Sequence, residues 1–405
     1  MNVVKRTILS LAVAAAFCAG AAQAQISDGI IKIGVLSDMS SLYTDLAGAG
    51  SVLAAKMAIE DSGIEKRGYK VEVVSADHQN KPDVGSNIAR QWYDVDKVDV
   101  IVDVPNSGVA LAISQITKDK GKAFLAVGPG TSDLTGKACS PNTVHWSYDT
   151  WMLANGTGTA ITKQGGDTWF FISADYAFGA ALERDTTAAV LRNGGKVIGG
   201  VKAPLNTQDF SSFLLQAQAS KAKIIGLANA GGDTTNSIKQ AAEFGIVKGG
   251  QKLAGLLVFL TDIHALGLQT AQGLTFTETF YWDMNDKTRA FSKRFAPADK
   301  GIHPTMVHAG VYASVLHYLK AVEALKSDDG TKVIAKMKEM PTDDPLFGKG
   351  SIRVDGRKIH PAYLVQVKTP AESKAPWDYY NIVATIPADQ AFRPLADGEC
   401  SLVKK

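Results

Sequence analysis

Residues 98–127, VDVIVDVPNSGVALAISQITKDKGKAFLAV, contain one complete strand–helix–strand unit. Val98 to Val104 is a nearly continuous apolar run, as a strand covered on both sheet faces requires. Val109 to Lys118 carries apolar residues at helical spacing. Ala123 to Val127 is a second short apolar run that completes the unit. Such a unit builds a parallel sheet.

Working outward, the same alternation fills most of the chain. Towards the N-terminus the strand Ile30 to Leu36 precedes a helix over Ser51 to Asp61. The strand Tyr69 to Ala76 follows, then a helix that begins at Pro82 and repeats Val84, Ile88 and Trp92 every fourth residue. Beyond Ser147 the cycle restarts with a helix around Asp149 to Lys163 and the strand Trp169 to Ser173. Next come a helix over Gly179 to Leu191, the strand Lys196 to Val201, and a helix with Asp209 as N-cap. The strand Lys223 to Ala228, a helix over Thr234 to Phe244 and the strand Leu253 to Leu260 complete the second cycle.

Later segments are less regular: helices over Thr305 to Leu325 and Thr331 to Met340, and strands over Gly350 to Val354 and Tyr363 to Val367. Helices after two finished winds imply that the chain returns to its first half. We therefore expect an α/β fold of two doubly wound parallel-sheet lobes joined by a multi-strand hinge. The expected division is residues 26–147 with 281–355 for lobe 1, and residues 148–280 with 356–405 for lobe 2.

Residues 1–24 read as a secretory signal peptide. Lys5 and Arg6 form the positive region, Ile8 to Phe17 the apolar one, and Ala22-Gln23-Ala24 a small-x-small cleavage site. The apolar run is about 10 residues, whereas a membrane span needs ~20. Export to the periplasm is the expectation, without direct membrane insertion. Removing Lys5 and Arg6 takes the net charge from +3 to +1, which leaves no electrostatic footprint for nucleic acid. Two cysteines remain after processing, Cys139 and Cys400. They are expected to pair as a disulfide that pins the C-terminal tail, the other reading being two free buried thiols.

Catalytic signatures are missing from the sequence. No two of the seven histidines have His-Glu-x-x-His spacing, and there is no Gly-x-Ser-x-Gly elbow or Walker loop. Gly48-Ala49-Gly50 lies about eleven residues beyond the first strand, too far for a dinucleotide fingerprint, whose pyrophosphate must meet a helix start at the strand end. The expectation is no catalytic residue, no metal and no cofactor.

Small hydroxyl residues and glycines do recur just past strand ends, where open α/β sheets hold ligands. Asn106-Ser107-Gly108 and Gly128-Pro129-Gly130-Thr131 offer hydroxyls and close backbone approach, and a helix start suits a carboxylate. The second wind offers Asp175-Tyr176-Ala177-Phe178-Gly179 and Asn229-Ala230-Gly231-Gly232-Asp233. Their rings can close an apolar wall, and Asn229, Asp175 or Asp233 can meet a polar substituent; Asp175 and Asp233 can equally cap the following helices.

With these residues in place, the chain resembles the periplasmic leucine/isoleucine/valine-type binding proteins of ABC transporters. The carriers are Ile33-Gly34-Val35-Leu36-Ser37-Asp38-Met39-Ser40, the Ser107 turn, Gly128 to Leu134, Asp175 to Gly179, and Lys239-Gln240-Ala241 before Phe244-Gly245. The resemblance implies the type I two-lobed fold, a ligand in the inter-lobe cleft, hinge closure, an inner-membrane permease as partner, and a monomer. It implies that Ser107, Gly128, Gly130 and Thr131 hold a ligand carboxylate. Phe178, Ala230 and Leu46 fall where the family has aromatic residues, with Tyr43 close to Leu46. The family's amino-acid binders carry an acid that pairs with the ammonium group, near Leu257-Val258-Phe259 here. A buried ammonium without a counter-charge costs several kcal/mol, so an organic acid (benzoate-like or a 2-oxo acid) is placed ahead of a branched-chain amino acid. A periplasmic enzyme on a doubly wound fold and a ligand-sensing partner of a membrane receptor are the alternatives.

Overall fold

The computed structural model describes residues 26–404; the expected signal peptide lies outside the described residues. Strands β1 (Ile31–Ser37), β2 (Val71–Asp77), β3 (Val100–Asp103), β4 (Ala123–Ala126) and β5 (Thr143–His145) form a parallel sheet in the order β2-β1-β3-β4-β5. Every residue of β3 and β4 is buried, which is why these strands read as unbroken runs rather than alternating ones. A second parallel sheet holds β6 (Thr168–Ala174), β7 (Lys196–Ala203), β8 (Ile224–Ala228) and β9 (Lys252–Gly255) in the order β7-β6-β8-β9. In both sheets the order reverses beside the first strand. That reversal opens a crevice at the carboxyl ends of the strands.

The remaining strands are antiparallel. After β10 (Thr275–Glu278) come β11 (Thr342–Asp344), β12 (Gly348–Ile352) and β13 (Lys358–Ile359), which make a small sheet of their own. β14 (Ala362–Val367) and β15 (Tyr380–Ile386) join β10 in a third sheet, ordered β10-β14-β15. Between these segments the helix Met306–Leu325 returns to the first body. Thr305 Oγ1 donates to Leu46 O at 2.8 Å, and the His308 ring meets Ala47 O at 2.9 Å.

Several sequence expectations shift. The run Leu253 to Leu260 is not one strand: β9 stops at Gly255, and Leu260 opens the helix Leu260–Leu266. An apolar run without period cannot separate a strand from another buried segment, and Leu256 to Phe259 are buried as non-strand chain. The helix Ser211–Ala219 has Phe210, not Asp209, at its N-cap; Asp209 instead accepts from Ser211 N at 2.9 Å one step earlier. The helix expected from Asp149 to Lys163 is two short α segments joined by a π-helical stretch, Ala154–Gly158.

Three observations bear on the expected lobe boundaries. The β12–β13 pairing straddles position 355/356, and Arg357 bridges to His145 and donates to Tyr148 O at 3.0 Å. Cys400, assigned with lobe 2, is bonded to Cys139 of the first body, with Cα atoms 5.6 Å apart. Residues 356–360 and the C-terminal tail therefore contact the first body, because backbone pairing and the cross-link hold them there.

Candidate functional site

The crevices of the two parallel sheets face each other, and a cavity lined by strand-end residues of both lies between them. Its lining is Tyr43, Leu46, Pro105, Ser107, Gly128, Gly130, Tyr148, Tyr176, Phe178, Ala230, Leu257 and Phe259, around an empty volume of about 240 Å³. All twelve follow the carboxyl end of a parallel strand. Pro105, Gly128, Tyr176, Ala230 and Leu257 stand two residues past β3, β4, β6, β8 and β9 respectively. Sheet topology thus gathers residues spread over more than 200 positions.

At the first-sheet end, Ser107 is the first residue of the helix Ser107–Asp119. Its Oγ accepts from Thr131 N at 3.2 Å, and among the described residues its own O–H has no acceptor. The Gly130 N–H likewise has none among the described residues. The Ser107 donor stands at a 13-residue helix's positive end, and together the two donors suit an anion. Gly130 also lets the opposite wall approach: a Cβ built there would lie 2.6 Å from Phe178 Cε2.

The walls are aromatic. Tyr148 and Phe259 meet edge to face with centroids 6.0 Å apart, and Tyr176 and Phe178 lie at the same separation. Tyr148 Oη donates to Gly128 O at 2.5 Å. Tyr43 Oη and Tyr176 Oη, one from each body, are 2.6 Å apart. Burial first, and then each other's proximity, holds the Tyr43 phenol well above its ordinary pKa, so this contact is between neutral hydroxyls. The bodies touch at further points. Ser132 Oγ donates to Asp185 Oδ2 at 2.7 Å. Gly231, at φ 58°, comes so close to Leu42 O that a Cβ would be 2.6 Å away.

The structure brings together Ser107, Gly128, Gly130, Tyr43, Leu46, Tyr176, Phe178, Ala230 and Phe259 of the sequence-derived candidates. Five others lie outside the lining. Asn106 is a helix cap, its Oδ1 accepting from Gly108 N and Val109 N. The Thr131 hydroxyl accepts from Asp133 N in the next turn. Asn229 is consumed by Thr234 and Ser237. Asp233 is buried and accepts from Asn206 N through Oδ2, while Oδ1 has no partner among the described residues. Burial raises its pKa to about 6. Asp175 is more than half exposed, with Lys202 at 3.9 Å. No charged side chain lines the cavity. Pro105, Tyr148 and Leu257 escaped the candidate set. Tyr148 follows a strand of only three residues, too short to leave a pattern, whereas an aromatic just past a strand end was a usable signal for it.

A cleft between two doubly wound bodies, lined by rings and uncharged donors, defines a solute-binding protein. The family described as periplasmic binding protein matches residues 30–374, and the chain belongs to it. A periplasmic binding protein from Burkholderia mallei is 51% identical with a TM-score of 0.91, covering 93% of this chain and 100% of that one. A branched-chain amino acid ABC transporter periplasmic ligand-binding protein from Burkholderia xenovorans is 42% identical with a TM-score of 0.81, covering 92% and 99%. A solute-binding protein of an ABC transporter from Rhodopseudomonas palustris, in complex with p-hydroxybenzoic acid, is 25% identical with a TM-score of 0.76, covering 89% and 97%. The second and third are ABC-transporter binding proteins, and this chain is a binding protein of that type, not an enzyme. Among the described residues no helix is long and apolar enough to cross a membrane.

Proposed function

We propose that this protein captures a small apolar organic carboxylate in the inter-lobe cleft and delivers it to an inner-membrane permease. The observation that carries the reading is the cavity's asymmetry: uncharged donors at the Ser107–Gly130 end, and aromatic or aliphatic side chains elsewhere. The relative that holds p-hydroxybenzoic acid supports the same class. On this reading Ser107, Gly128 and Gly130 hold the carboxylate, with Thr131 acting through its bond to Ser107 rather than by its hydroxyl. Phe178, Tyr148 and Phe259 enclose the ring.

A branched-chain amino acid is the second reading. The unpartnered Oδ1 of Asp233 and the Burkholderia xenovorans relative favour it. Thermal-shift measurements with benzoate, 4-methyl-2-oxopentanoate and leucine separate the two. Stabilisation by the first two supports the organic acid, and stabilisation by leucine alone refutes it. Export to the periplasm after cleavage near Gln25, action as a monomer, and hinge closure belong to the same proposal. So does a lobe division like that expected, with residues 356–360 and the tail counted with the first body.

A further inference from the structure

Directly behind the Ser107–Gly130 end stands a carboxyl group that the binding reading does not use. Asp103 ends β3 with φ 82°, and Val104 follows at φ 64°. Two consecutive non-glycine residues in the left-handed region, one β-branched, are costly and mark a constrained site. This distorted pair turns the chain from the strand into the Pro105–Ser107 approach to the cleft.

The Asp103 side chain is fully buried. Its Oδ2 accepts from Ser37 Oγ at 2.8 Å, and that hydroxyl accepts from Gly48 N at 3.1 Å. Its Oδ1 makes no hydrogen bond of good geometry among the described residues, with the Ser51 hydroxyl and the Gly128 backbone facing the carboxyl. It points at Gly128, where a built Cβ would lie 2.6 Å away. One glycine, itself part of the cavity lining, thus separates this oxygen from the place a ligand carboxylate would occupy.

Each neighbouring element brings only uncharged or acidic groups towards Asp103. The β1 end contributes Ser37 and Asp38, the helix Gly48–Ser62 contributes Ser51, the β4 end contributes Gly128, and the segment after β5 contributes Tyr148. Asp38 is occupied by Ser41 N, Tyr43 N and Asn80 Nδ2, and the His145 ring faces Pro129 O. No salt bridge reaches Asp103 among the described residues.

We propose that capture of a ligand carboxylate is coupled to uptake of one proton by Asp103, so that the cleft takes up an anion and a proton together. The inference rests on the carboxylate reading of the cleft. Two carboxylates sharing a dry site cannot both stay charged, and Asp103 meets only hydroxyls, backbone and a neighbouring acid, with no cation among the described residues to hold its charge. The proton comes from solvent and converts the Asp103 carboxylate to the acid; no bond other than O–H forms. Burial already raises the Asp103 pKa to about 7, and a bound anion raises it further.

The test is titration calorimetry of the mature protein in two buffers of different ionisation enthalpy, between about pH 6 and about pH 9. Benzoate, 4-methyl-2-oxopentanoate and leucine serve in turn as probes. The expected result is uptake approaching one proton per probe bound near pH 8, and affinity that falls up to ~10-fold per pH unit above about 7. In Asp103→Asn the uptake vanishes and the affinity is flat. Should that variant fail to fold, Ser37→Ala removes a donor from Asp103 and should move the uptake midpoint to higher pH. Zero uptake in the wild type, unchanged uptake in Asp103→Asn, or an unmoved midpoint in Ser37→Ala would each overturn the coupling while leaving the carboxylate reading intact. Binding of none of the three probes would overturn that reading and the coupling with it.

Discussion

Single residues decide what the cleft accepts. Ser107 holds Thr131 N with its oxygen and leaves its proton for a ligand. Ser107→Ala should weaken a carboxylate by ~1–3 kcal/mol, the range for hydrogen bonds to charge. Calorimetry with benzoate checks it, and unchanged affinity would move the carboxylate elsewhere. Gly130 is needed because Phe178 closes over it at a distance no Cβ tolerates. Gly130→Ala should cost ~1–3 kcal/mol of closure through overpacking, read as a ~5–150-fold weaker Kd with an ordinary circular dichroism spectrum. A variant binding as tightly as wild type would mean that the cleft fills without closing here. Ser107 and Gly130 were legible in sequence because glycines and hydroxyls recur past the ends of two adjacent strands, where open α/β sheets hold ligands. Asn106, Thr131 and Asn229 carried the same local signal, yet their polar atoms are spent on caps and turns. Which partner a short polar side chain takes depends on angles that spacing does not encode.

Elements set how the walls meet. The helix Ser107–Asp119 begins at the clamp only because Asn106 caps it; a start at Val109 would have left Ser107 in a loop. β9 ends early, which frees Leu257 and Phe259 to turn into the cleft. The loop after β1 carries Tyr43 across to Tyr176. Tyr43→Phe removes that hydroxyl contact, worth about 0.5–1.5 kcal/mol. The closed arrangement should then be less populated, and small-angle scattering of the ligand-free protein should show a larger radius of gyration; an identical radius would assign closure to the Ser132–Asp185 contact instead. The C-terminal tail is held by Cys139–Cys400 across a separation of 261 residues. Replacing both cysteines by serine should cost about 2–5 kcal/mol of stability, measured by denaturant unfolding, with little effect on affinity because neither residue lines the cleft.

Across the whole molecule, burial perturbs two opposed sets of titrating groups. Asp99 and Asp233 are pushed up to about 6, Asp103 and Asp262 to about 7. Stability from these acids is full below their unfolded pKa of about 4 and is lost as pH rises through the folded values. His78, His308 and His317 are pushed down to about 4 and His360 to about 3. Their contribution is full above about 6.5 and is lost as pH falls through the folded values. The two slopes oppose each other over the same window, so Tm should change little between about pH 5 and about pH 6.5. Asp262→Asn removes one acid, and its Tm advantage over wild type should grow as pH rises towards 7; a constant difference would mean that Asp262 is ionised throughout. The sequence by itself determined the α/β class, the two winds, the return of the late helix to the first body, and a ligand end rich in glycine and hydroxyls. It could do so because buried parallel strands and helix faces impose periods along the chain. Tertiary structure alone decided which candidates share one cavity, that Tyr148 and Leu257 join them, and that Asp103 stands behind Gly128 with no cation among the described residues to hold its charge. The physical reason is that crevice geometry, burial and hydrogen-bond satisfaction arise between strands far apart in sequence, and no local pattern carries them.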